Sequence, residues 1–281
     1  MPFKKIGLAI TFSPNSMALL KNAKRFGKLF NAEVILIHVG EKSPDREKSL
    51  NQFITQAGFG ESLPRIIWEN GDPADVILKF AGENKIDLLL AGALEKETII
   101  KYYIGSVARK LMREAPCSVL IMVSPSVEAM PFRKVCVTTD FSYAAEISVK
   151  KAFEMAKLEN AREFVILREF ETPGLAITVS DSGSAEETEQ VRIDWQEEEE
   201  EKMKMFIREL NLKGLNIKTA CLYGKPGWEV NKYIKSSGGD LLAIRAPEKK
   251  LTFFDRLFPH DQEFLFKELP CSLLILRETE A

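Results

Sequence analysis

Apolar residues gather in short, nearly continuous runs at 5–10, 34–39, 65–68, 87–91 and 118–123, with little alternation between apolar and polar positions. Strands buried on both faces read this way, because neither side meets water. Between the runs the apolar spacing becomes helical. It does so at Leu19, Leu20, Ala23, Phe26 and Phe30, at Val76, Ile77, Phe80 and Ala81, and at Ile104, Val107, Ala108, Leu111 and Met112. Alternating strand and helix patterns predict a parallel, doubly wound α/β sheet. The same succession returns with strands at 135–139, 164–167, 216–220, 241–244 and 273–276.

The second succession is a copy of the first. Lys5-Ile6-Gly7-Leu8-Ala9-Ile10-Thr11-Phe12-Ser13 returns as Lys134-Val135-Cys136-Val137-Thr138-Thr139-Asp140-Phe141-Ser142, and Asn31-Ala32 returns as Asn160-Ala161. Asp87-Leu88-Leu89 matches Asp240-Leu241-Leu242, and Pro116-Cys117-Ser118-Val119-Leu120-Ile121 matches Pro270-Cys271-Ser272-Leu273-Leu274-Ile275. The offset grows from 129 at Thr11/Asp140 to 154 at Cys117/Cys271, and most of the extra residues fall between Phe170 and Glu201. A duplicated unit is the physical reading. It gives domains at 1–125 and 132–281, with the segment 124–132 and its two prolines as linker.

Composition narrows the function classes. At 281 residues, 45% hydrophobic and 28% charged, the chain is globular and long enough for about two cores. A net charge of −2, from 39 basic and 41 acidic residues, removes the electrostatic case for nucleic acid or an anionic membrane as partner. No run approaches the roughly 18 apolar residues of a spanning helix, and the opening run is too short for a signal-peptide core. Cys117, Cys136, Cys221 and Cys271 form no CxxC and sit in or beside apolar runs, so reduced buried thiols and a cytoplasmic location are expected.

In a doubly wound sheet, ligands bind beyond the carboxyl ends of the strands where the strand order reverses, which directs attention to the loops after strands one and four. After strand four come Gly92 and Glu95, then Gly105-Ser106 opening a helix. A Gly-Ser step at a helix start leaves amides free, and lets a phosphate approach without a Cβ in the way. A serine there also has a second reading, as a plain helix cap.

With the strand-one loop and the repeated Pro-Cys-Ser ending, this pattern resembles the universal stress protein family. The resemblance covers both halves and implies two tandem, doubly wound five-stranded parallel sheets, Rossmann-like, joined as an internal pseudo-dimer through their last strands. The family motif is Gly, two residues, Gly, nine residues, Gly-Ser/Thr. By position it implies that Gly92, Gly105, Ser106 and Val107 line the phosphates and ribose of ATP or AMP. Val39 would meet adenine through its backbone, and Thr11 and Ser13 would flank the ligand from the strand-one loop. Two departures weaken that site. Glu95 occupies the second glycine place, and Thr11 stands where the family has aspartate. A carboxylate facing a triphosphate calls for a bridging cation, so Mg²⁺ is implied with ATP. In the second half Asp140 restores the acid, while Arg245, Glu248 and Pro259-His260 replace the glycine motif. Asp140 therefore has two readings, ligand contact or local turn residue.

The resulting expectation is a stress-response protein that binds an adenine nucleotide in its first half and acts as sensor or adaptor. It would be at most a weak ATPase, paired as a dimer or pseudo-dimer with an unidentified protein partner. The alternative is a nucleotide-independent scaffold of degenerate family domains. Apolar clusters at Ile99, Ile100, Tyr102 and Tyr103, and at Phe253, Phe254, Leu257 and Phe258, read as packing or dimer contacts. The five carboxylates at 197–201 read as a solvated helix face. His38 and His260 belong to no nucleophile motif, and neither GxxxxGK[ST] nor GxGxxG occurs.

Overall fold

The computed structural model describes residues 2–60, 63–95, 102–103, 105–171, 185–225, 227–246 and 269–278, with backbone only at 94–95, 102–103 and 185–188. The first half runs β1 (Lys5–Ile10), α1 (Ser16–Phe30), β2 (Glu33–Val39), α2 (Pro44–Ala57), β3 (Arg65–Glu69), α3 (Pro73–Glu83) and β4 (Leu88–Gly92). A two-residue hairpin follows, β5 (Leu94–Glu95) with β6 (Tyr102–Tyr103), then α4 (Ser106–Glu114) and β7 (Ser118–Met122). The second half repeats the plan as β8 (Lys134–Thr138), α5 (Tyr143–Leu158), β9 (Glu163–Phe170), α6 (Ala185–Leu210), β10 (Ile217–Tyr223), α7 (Trp228–Ser237), β11 (Leu241–Arg245) and β12 (Ser272–Leu276).

All the long strands join one ten-stranded sheet, ordered β10-β9-β8-β11-β12-β7-β4-β1-β2-β3. Each half is parallel internally, and the halves meet where β7 pairs antiparallel with β12. Leu120 faces Leu274 across this seam, and these two residues are repeat equivalents. On either side Val119 meets Ile275 and Ile121 meets Leu273, the reciprocal pairing that an isologous contact requires. The Ser of each Pro-Cys-Ser ending serves the seam too. Ser118 Oγ accepts from the Arg277 amide, and Ser272 Oγ accepts from the Val123 amide, both at 3.2 Å.

Alternate strand residues feed two apolar layers. Leu8, Leu36, Leu90 and Leu120 face α1, α2, α5 and α6, whereas Ile35, Ile37, Leu89 and Val119 face α3, α4 and α7. Both layers run continuously across the seam. Repeated polar residues fix the frame. Asp87 takes the amides of Lys4 and Lys5 at 2.7 and 3.0 Å, and Asp240 takes those of Arg133 and Lys134 at 2.7 and 3.1 Å. The aspartate expected inside strand four thus lies just before it and clamps the start of strand one. Asn31 and Asn160 both turn left-handed (φ 51° each) to end α1 and α5.

The segment 124–132 is tied to the body rather than hanging between the halves. Buried Asn22 donates to the Ser126 carbonyl at 3.1 Å, and Phe132 stacks near Phe26. Among the described residues no helix is long and apolar enough to cross a membrane. The segment 172–184, and the loop with Glu248, Phe253, Phe254, Leu257, Phe258 and His260, lie outside the described residues, as do Ile99 and Ile100 and the side chains of Tyr102 and Tyr103.

Candidate functional site

The order β4-β1-β2 sets three parallel carboxyl ends side by side, with β1 at the point where the strand order reverses. Thr11, Val39 and Gly92 stand at those ends. Thr11 and Ser13 are exposed, and both are engaged by Ser16, whose hydroxyl donates to the Thr11 carbonyl and lies 3.2 Å from Ser13 Oγ. Val39 is half-buried, and both it and Val107 of α4 border the apolar layer that contains Ala91 and Ala93.

Gly105 is the N-cap of α4, in extended conformation (φ −66°, ψ 167°), and as a glycine it brings no capping side chain of its own. Ser106 is the first helical residue, so it is not the cap that one reading of the sequence allowed. The amides of a first helical turn have no acceptor within the helix, and they carry the positive end of its dipole. Gly92 has a packing reason of its own. A Cβ there would sit 3.2 Å from Leu19 Cδ1, so the α1 leucine already uses the space. Glu95 pairs through its backbone with Tyr102, and its side chain lies outside the described residues.

A feature the sequence did not single out stands beside Val39. His38 is buried between Phe12 and Trp68, with ring centroids at 5.0 and 4.4 Å, and its Nδ1 lies 3.0 Å from the Ile10 carbonyl. A carbonyl only accepts, so Nδ1 carries the proton and Nε2 remains an acceptor. Burial holds this imidazole below the ordinary histidine value, the Ile10 carbonyl works the other way, and Arg46 adds to the lowering. The signal in the sequence was position alone, one residue before Val39 at the end of an apolar run.

The second half arranges the equivalent corner differently. Arg245, in the Gly92 position, forms an ion pair with Asp140 at 3.6 Å. The Asp140 carboxylate also accepts from the Ser142 amide and hydroxyl, closing the turn that starts α5. Burial would raise this carboxyl, yet the Ser142 hydrogen bonds and the Arg245 charge together hold it below the ordinary aspartate value. Glu169, at the position equivalent to Val39, accepts from the Gly227 and Val230 amides at 2.9 and 2.7 Å and so occupies the start of α7. Asp140 cannot join the first-half residues. Four inter-strand steps, roughly 19 Å, separate β8 from β4, and the antiparallel seam turns the second half's carboxyl ends to the opposite edge.

The expected solvated run at 197–201 also needs correction. Glu199 is buried, with Arg168 Nε at 2.6 Å and Lys202 Nζ at 2.9 Å. Its burial would raise the carboxyl, but these two cations hold it below the ordinary value.

Sheet order and the repeated strand–helix plan define a doubly wound, Rossmann-like α/β protein built from two like halves. Residues 2–122 match the model of the universal stress protein family. A universal stress protein of Methanocaldococcus jannaschii is 30% identical over 146 residues, covering 45% of this chain and 85% of the relative. The chain belongs to the universal stress protein family. Solved structures extend the likeness in fold to both halves. A universal stress protein from Archaeoglobus fulgidus has TM-score 0.66 and 17% identity, covering 97% of this chain and 98% of its own. A protein described as a putative universal stress protein from Pseudomonas aeruginosa has TM-score 0.74 and 15% identity, covering 98% and 93%.

Proposed function

We propose that the first half binds an adenine nucleotide, ATP or AMP, at the carboxyl ends of β1, β2 and β4, and that the protein acts as a cytoplasmic sensor or adaptor. In this reading the units are 1–125, which holds the ligand, and 132–281, which supports it as the other half of a pseudo-dimer. The observation that carries the reading is the glycine-capped start of α4 at Gly105-Ser106, on the face of the sheet that Val39 and Val107 also border. Amides at Ser106 and Val107 would take phosphate oxygens, helped by the helix dipole. The Val39 backbone would meet the base, while Thr11, Ser13 and Gly92 close the other sides. Glu95 would face the phosphates, and Mg²⁺ accompanying ATP would offset that repulsion. Asp140 has no part in it.

Calorimetric titration with ATP, ADP and AMP, with and without Mg²⁺, tests the reading. Saturable heat is expected, abolished by Gly105→Asp, which sets a carboxylate at the helix start. Ligand at 100 times its Kd should add about 2.7 kcal/mol of stability. Neither heat nor thermal stabilisation at millimolar nucleotide would reject it.

A second reading, a nucleotide-independent scaffold, is favoured by the second half, where Asp140 pairs with Arg245 and Glu169 accepts from the amides at the start of α7. It expects the partners recovered by affinity capture to be the same for wild type and Gly105→Asp, with or without nucleotide.

A further inference from the structure

Comparing each half with its copy isolates one place where they differ in kind. On the first-half side of the seam, α1 presents Leu19 and Asn22. Leu19 packs over Gly92, and Asn22 is closed by the carbonyls of Ala18 and Ser126. The equivalent positions on α5 are Ser148 and Lys151. Instead they line a cavity of about 280 Å³ with Ile147, Leu276, Arg277 and Glu278.

Two cations at this cavity form no close ion pair among the described residues, with Asp87 acting on Lys151 only at longer range and Glu278 standing on the cavity wall. Lys151 Nζ has Ser118 Oγ at 3.5 Å and the Phe3 ring at 4.7 Å, and no carboxylate in ion-pair range. Arg277 is only 9% exposed, and its guanidinium reaches the carbonyls of Met112 and Arg113 at the end of α4. Its Nε is buried with no partner. Burial lowers both groups from their ordinary values. Two half-dry cations and an orphan donor beside an open volume form an arrangement that proteins ordinarily complete with an anion.

We infer that the seam cavity between α5 and the end of β12 binds a small aliphatic carboxylate, its charged end on Lys151, Arg277 and Ser148 and its apolar body against Ile147 and Leu276. The volume lies at the lower edge of the roughly 300–1,000 Å³ of drug-sized sites, which suits a small ligand. This site is separate from the strand-end niche and does not depend on nucleotide.

The full chain should be titrated with butyrate, inorganic phosphate and chloride at matched ionic strength, reading melting temperature and saturation-transfer NMR. Butyrate should give a saturable rise in melting temperature and a transfer signal that chloride does not give. Lys151→Asn and Ser148→Leu, which install the first half's own residues, should each weaken butyrate at least tenfold, whereas Gly105→Asp should leave it unchanged. Ser148→Leu fills the space and guards against a variant that merely unfolds. Equal butyrate effects in wild type and both cavity variants would overturn the inference, as would no saturable effect. Phosphate protecting more strongly than butyrate would overturn the assignment to a carboxylate.

Discussion

His38 makes a residue-scale prediction that can be checked without any ligand. Its folded value lies below the ordinary 6.5, chiefly because it is buried. As pH falls through about 6.5, the unfolded chain takes up this proton while the folded protein resists it. Stability present above that pH is then lost until the folded value is passed. Urea midpoints should fall between pH 7 and 5.5 in wild type and fall less in His38→Gln, since both proteins share His260. Equal slopes would exclude His38 as the group responsible. The thiols offer a second check. Burial pushes Cys117 and Cys136 to about 12 and Cys221 to about 11. With almost no thiolate at pH 8, all should react slowly with a disulfide reagent in the native state, and half-buried Cys221 should react before Cys117 and Cys136. Of these features the sequence displayed the cysteines, whose apolar neighbours foretell burial. It hid the setting of His38, because its aromatic neighbours Phe12 and Trp68 come from two other strand ends.

Among elements, legibility followed burial. The strands expected at 5–10 and 241–244 appear as Lys5–Ile10 and Leu241–Arg245, since runs buried on both faces leave no other reading. The charge run at 197–201 was misread because one helix face can be acidic throughout while a single member, Glu199, turns inward to Arg168. Glu169 was equally unreadable, for its two acceptor bonds reach amides 58 and 61 residues away. That capping is a prediction for α7. Charged acceptor bonds contribute about 1.5–3 kcal/mol each way they are lost, so Glu169→Ala should destabilise by about 2 kcal/mol. Hydrogen exchange should locate the change, with the Val230 amide and the first turn of α7 losing protection while β1 and β2 keep theirs. A uniform loss across the sheet would mean that Glu169 acts on global stability rather than as a cap.

At the scale of the whole molecule, the repeat foretold two like halves, and the shared Pro-Cys-Ser endings marked the strands that meet. The cross-seam ion pair was not legible, because it joins residues that differ between the copies. Arg25 of α1 reaches Glu159 at the end of α5, Nη1 to Oε2 at 2.6 Å, with the Glu159 side chain fully buried. The pair is incompletely satisfied, as Arg25 Nε and Nη2 and Glu159 Oε1 are buried without partners. Burial raises the Glu159 carboxyl, and the Arg25 hydrogen bond and charge only partly counter it. A carboxyl raised on folding is more costly to keep ionised in the native state than in the unfolded chain, so at neutral pH it opposes folding and the opposition fades as pH falls through its folded value. The pair therefore joins the halves by geometry more than by net stabilisation. Removing one member exposes the cost. Arg25→Met should destabilise by about 3–5 kcal/mol, since it strands a buried carboxylate. The double variant Arg25→Met/Glu159→Leu should recover most of that loss, as read by urea denaturation, and should lack the gain in stability that Glu159 gives the wild type as pH falls from neutrality toward the ordinary carboxylate range. If the double variant is as unstable as the single one, the ion pair is a true energetic bond across the seam. The union of the halves would then rest on charge as much as on the β7–β12 ladder.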